Sequence, residues 1–143
     1  MNAFVCAGAG FLLAVLWFDL MFDVQLLGGE PDVSSIAAYY ARVTTAARPM
    51  NRLVAAAMLC TIAAVIVELA RATPAAWIGW SSLALAGSAV GLAGARTVPA
   101  AVRLGASLDP PAAQLALARA ILQQHVYCFA AIAGVLVLQL GFG

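Results

Sequence analysis

Four runs of about 20 mainly apolar residues, each long enough to cross a hydrocarbon core of about 30 Å, constrain this chain more than any other feature. They extend from about Ala3 to Gln25, from Asn51 to Ala70, from Ala75 to Ala95, and through a last run that is apolar from Val126 to Phe142. Of the 143 residues, 65% are hydrophobic and 9% charged, whereas a soluble domain carries about 25% charge. Too few polar side chains remain to cover a globule, so lipid is the solvent for much of the surface. The pattern predicts an all-α membrane protein with one domain over residues 1–143. Four transmembrane helices form its bundle, with a short interfacial amphipathic helix between helices 1 and 2 and an extended fourth helix.

The connectors refine that outline. Gly28-Gly29 breaks the first helix, and Asp32 or Ser34 caps a new one. There Ile36, Tyr39, Tyr40, Val43 and Ala47 recur at helical spacing, which predicts a helix at the interface with its tyrosines at headgroup depth. The same segment also reads as a connector that seals the end of the bundle. Glu68 and Arg71, three apart, are expected to pair at the end of span two. Thr73-Pro74 makes the next turn, and Trp77 and Trp80 begin span three as an aromatic belt. Gly87, Gly91 and Ala95 form a small-residue stripe suited to helix packing, within the bundle or between copies. Arg96 to Leu108 reads as a second connector. Asp109 caps the last helix, with Pro110-Pro111 in its first turn. That helix, from Pro110 to Leu140, is about 46 Å long and outreaches the bilayer core.

Arginines set the orientation. Arg42, Arg48, Arg52, Arg96, Arg103 and Arg119 flank the connectors after spans one and three, and Arg71 alone lies on the other side. The positive-inside rule places those connectors in the cytoplasm and both termini outside it. With a bacterial-type composition, this points to the plasma (inner) membrane. No basic residue precedes the first apolar run, so that segment is expected to be retained. Cys6, Cys60 and Cys128 are dispersed in apolar runs and suggest neither a disulfide framework nor a zinc site. No basic run with interleaved aromatics indicates a nucleic-acid partner.

This topology gathers costly side chains in one leaflet. An aspartate at the bilayer centre costs about 2.5–3.5 kcal/mol on the insertion scale, and less near the interface. Asp19 and Asp23 end span one, four residues apart and so on one helix face, roughly 6 Å from each other. Arg52, Arg96, Gln124, His125 and Tyr127 reach the same level from the other spans. The expected result is a polar pocket in which Asp19 or Asp23 pairs with Arg52, Arg96 or His125. Asp19 and His125 are the candidate catalytic acid and base. Trp17, Phe22, Asp23, Arg52, Arg96, Gln124 and Tyr127 are candidate substrate-binding residues. Asp19, Asp23 and His125 have the count for a metal site, but no spacing marks one, and no cofactor is indicated. The same charges also serve as salt bridges that only fix packing.

The stretch Thr97-Val98-Pro99-Ala100-Ala101-Val102-Arg103-Leu104, at the end of the third span, resembles the small four-helix membrane proteins related to anthrone oxygenases. That resemblance implies a four-helix fold, polar residues such as Arg119 and His125 early in the last span, and oxygenation of a polycyclic aromatic substrate. Three function classes stay open. An oxygenase-like enzyme acting on a lipophilic small molecule ranks first, because polar groups converge from all four spans. The alternatives are an accessory subunit of a larger membrane complex, docked through the Gly87/Gly91/Ala95 stripe, and a small proton-coupled carrier acting as a homo-oligomer.

Overall fold

The computed structural model describes residues 2–28, 31–71 and 75–143. Its elements are α1 (Asn2–Asp23), a 3-10 turn (Val24–Leu27), α2 (Val33–Thr45), α3 (Arg48–Ala70), α4 (Ala76–Leu92), a π-helical turn (Ala93–Thr97), α5 (Val98–Ala106) and α6 (Pro111–Phe142). No strand occurs among the described residues. Four helical rods are long and apolar enough to cross a membrane: Ala3–Leu27, Arg48–Ala70, Ala76–Ala106 and Pro111–Phe142. The fold class expected above is therefore present. Gly29 of the expected Gly-Gly break and the Thr73-Pro74 turn lie outside the described residues.

Helix α6 packs between α1 and α4, and α3 packs on α1 and α4. Their shared core includes Val5, Ala9 and Leu12 of α1, Val65 of α3, Ala86 and Ala89 of α4, and Cys128, Ile132 and Val135 of α6. Small residues set how closely the rods approach. A methyl placed on Gly8 would come within 2.1 Å of Thr61 Oγ1, so α1 and α3 meet at a distance only glycine allows. A second core, built from Leu26, Ile36, Ala37, Tyr40, Ala101, Leu104, Ala118 and Ile121, lies where α2 crosses α5 and α6. A methyl on Gly105 would sit 2.7 Å from Ala41 N, against backbone that cannot step aside. This contact holds α2 down on the bundle.

Two local expectations change. Residues 96–106 are helical rather than a connector, because the wider π turn over Ala93–Thr97 accommodates Pro99 without ending the rod. Asp109 does not cap α6. Its carboxylate forms a bidentate pair with Arg103, at 2.7 Å to both Nε and Nη2, and its carbonyl accepts from Gln114 Nε2 at 2.7 Å. Glu68, at the end of span two, is fully buried. Asp32 does cap α2, accepting from Ser34 N at 3.1 Å and Ser35 N at 3.3 Å.

Candidate functional site

The last turns of α1, the inward face of α2 and the middle of α6 build one polar cluster. Asp23 ends α1 with no exposed surface. Its Oδ1 accepts from the Tyr40 hydroxyl at 2.7 Å, and its Oδ2 lies 2.6 Å from His125 Nδ1. A carboxylate takes a proton donor at that distance, so Nδ1 carries the hydrogen and the ring's Nε2 faces away from Asp23. Nε2 stands 3.9 Å from Asp19 Oδ2, too far for a hydrogen bond. Asp19 Oδ1 accepts from the Tyr39 hydroxyl at 2.6 Å. Phe22 stacks on the Tyr39 ring with centroids 3.9 Å apart and fixes its direction.

The tyrosines of α2 are thus not headgroup anchors; they turn inward and donate to the two acids. Burial, followed by the neighbouring carboxylates, pushes both phenols well above their usual range. Both hydroxyls therefore stay protonated and keep donating. Sequence reading missed this role because tyrosines beside arginines at a membrane boundary also fit an aromatic belt. The usable signal was the offset: Tyr39 and Tyr40 are adjacent, so one helix turn can serve two acids spaced four apart.

Asp19, Asp23, His125 and Phe22 come together as expected. The other candidates do not join them. Arg52 and Arg96 are exposed, and neither is ion-paired among the described residues. Trp17 is exposed and tilts against Phe129 instead. Tyr127 points to another face, where its hydroxyl donates to Ser88 Oγ at 2.8 Å. Gln124 is half-buried, with Oε1 unpartnered among the described residues. No group of three or more His, Cys, Asp or Glu side chains suited to a metal ion occurs among the described residues.

Beside the cluster lies a chamber of about 520 Å³, walled mainly by apolar residues of α1, α3, α4 and α6 and bounded by α2. Asp19, Tyr40, Thr97 and His125 all line it. Thr97, the last residue of the π turn, is buried, and its hydroxyl has no hydrogen-bond partner among the described residues.

One family model, described as the SHR3 chaperone, ER membrane protein SH3, matches residues 1–142. The chain belongs to the SHR3 chaperone family. No curated protein matches it, and no solved structure does. Membership in the SHR3 family overturns three expectations. The resemblance to anthrone oxygenase relatives gives way, and with it the oxygenase-like enzyme. The family is described as one of the endoplasmic-reticulum membrane, which overturns the bacterial plasma membrane. The structure shows why the short stretch misled: its residues serve helix continuity and packing. Thr97 and Pro99 belong to the π turn and the start of α5, Arg103 holds Asp109, and Leu104 is fully buried.

Proposed function

We propose that this chain is a chaperone of the endoplasmic-reticulum membrane that attends multi-span membrane proteins through its lipid-facing surface. Of the readings weighed from the sequence, the accessory partner fits the family best. The match to the SHR3 chaperone family over nearly the whole chain carries this reading. The surface of α4 supports it. Gly87, Gly91 and Gly94 have no heavy atom within 4 Å of the place a methyl would take, and Ala95 beside them is exposed. The small-residue stripe is therefore not spent on the bundle's own packing. Such a face lets a second membrane helix approach backbone to backbone. The arginine bias, carried over to the endoplasmic reticulum, puts α2 and α5 on the cytosolic side and the described ends of α1 and α6 toward the lumen.

The test is retention of a multi-span cargo in soluble, extractable form in microsomes containing this chain, with amino-acid permeases as the first class to try. Gly87→Leu with Gly91→Leu is expected to lose cargo co-purification while the chaperone still folds. Undiminished co-purification with a folded double variant would remove the α4 face from the proposal.

A further inference from the structure

The chamber beside the Asp19–His125 pair has the composition of a binding site for one chemical group. Two polar atoms of the residues that line it have no hydrogen bond among the described residues: Asp19 Oδ2 and His125 Nε2. Asp23 offers nothing further, since Tyr40 and His125 already occupy its two oxygens. With Nδ1 donating to Asp23, the neutral imidazole presents Nε2 as an acceptor. The open atoms therefore call for a donor, and for more than one hydrogen.

Charge points the same way. Two carboxyl groups meet one imidazole here, and with both ionised the cluster carries an excess of negative charge even when the ring is protonated. Arg52 and Arg96 supply no ion pair to offset it. A nitrogen placed about 2.9 Å from each atom can span the 3.9 Å gap between Asp19 Oδ2 and His125 Nε2. A primary ammonium carries three donors, enough to serve both atoms at once. An alcohol has one donor, and a fatty acid adds a third carboxylate.

The rest of the chamber fits an apolar stem. Leu16, Val54, Met58, Val90 and Ile132 wall it. Its volume falls within the range of about 300–1,000 Å³ usual for small-molecule sites. It opens sideways: α3 and α5 barely touch if at all, and exposed Met50 and Ala55 of α3 and exposed Val98 of α5 border the same space.

We infer that this lateral chamber binds a primary ammonium on an apolar stem, with Asp19 and His125 receiving the nitrogen and the stem lying between α3 and α4. The chemistry has two sources, a free lipophilic amine or a lysine within a cargo's membrane helix. The second rests on the chaperone reading and the first does not.

The test uses the full chain in lipid nanodiscs with tetradecylamine, tetradecanol and myristate as probes, binding read by native mass spectrometry. The amine is expected to bind roughly tenfold or more tighter than the alcohol or the acid, with that preference lost in Asp19→Asn. Ala55→Trp, at the exposed mouth on α3, is expected to abolish binding in a folded protein. Equal affinity for the three probes, or amine binding that survives Ala55→Trp, would overturn the inference. Displacement of the amine by a membrane-spanning peptide with one central lysine, but not by its leucine counterpart, identifies cargo as the source. Failure of both peptides to displace a tightly bound amine identifies a free lipophilic amine. Loss of cargo in the Gly87/Gly91 variant leaves amine binding unchanged, so the two proposals fail separately.

Discussion

The two ends of this bundle bury polar side chains in different ways. At the end that carries Asn2 and Phe142, Glu68, Ser82 and Gln139 are buried among close-packed helices, with Gln139 Nε2 donating to Ser82 Oγ at 3.1 Å. Val5, Val65 and Val135, each without exposed surface, fill much of the space around them. At the other end Asp23 is as well packed, but Asp19 and His125 line an open chamber. Polarity inside a membrane bundle is thus not in itself a sign of function. The informative feature is polarity left with unused hydrogen-bonding capacity beside a space that something can enter.

The largest effect is expected from removing the acid that holds the chamber end together. Asp23→Ala strips both the Tyr40 hydroxyl and His125 Nδ1 of their partner in a buried site. A loss of roughly 3–5 kcal/mol follows from breaking such a pair on one side only. Steric-trap unfolding in bicelles measures it, and a loss below about 1 kcal/mol would show that the cluster is not structural. Next comes Gly105→Val. The added side chain meets the backbone of Tyr40 and Ala41, so α2 must lift, at a cost of roughly 1–3 kcal/mol for overpacking. Both tyrosine donors move with α2, and tyrosine fluorescence should report their release. The corresponding change at the packed end is milder. Ser82→Ala removes the bond to Gln139 Nε2 while Gln139 keeps its bond with Glu68, which should cost about 1 kcal/mol in the same assay. If Ser82→Ala proved worse than Asp23→Ala, the contrast between the two ends would be reversed.

The architecture was legible because length and apolarity suffice to mark membrane spans, and arginine placement suffices to group their ends. Asp19, Asp23 and His125 could be brought together on topology alone, since each stands at the same level of its rod. The chosen partners were less readable. Arginine was expected to offset the acids because it is the strongest cation available, but its long side chain reaches solvent from the rod ends, and tyrosine took the place. Gln139 and Thr61 escaped notice because a single polar residue within an apolar run has no spacing to betray its partner. Helical continuity through Pro99 was hidden too, since a proline after a polar stretch reads as a break unless a π turn absorbs it. Function was least legible of all: eight residues near Thr97 resembled one family, while the match over residues 1–142 belongs to another.

The smallest effect lies outside the bundle, where two exposed acids hold the connectors. Asp32 has its carboxyl held below the usual carboxylate range, first by the Ser34 hydroxyl and then by the Ser35 amide. Asp109 is lowered in the same direction, first by its hydrogen bond with Arg103. Both groups bind protons more weakly folded than unfolded, so the stability they lend is fully present above about pH 4, the ordinary aspartate range. It is lost as the pH falls through each group's own, lower value. Both sites are exposed, so the effect is local: the α2 cap and the Arg103 strap loosen, while the buried Asp23–His125 pair keeps the chamber end assembled. Amide NMR shifts of Ser34 and Ser35 should titrate with a midpoint below that of aspartate in an unstructured peptide. A midpoint at or above the peptide's would mean that Asp32 does not cap α2 in the membrane, and that α2 is held by Gly105 and the two tyrosines alone.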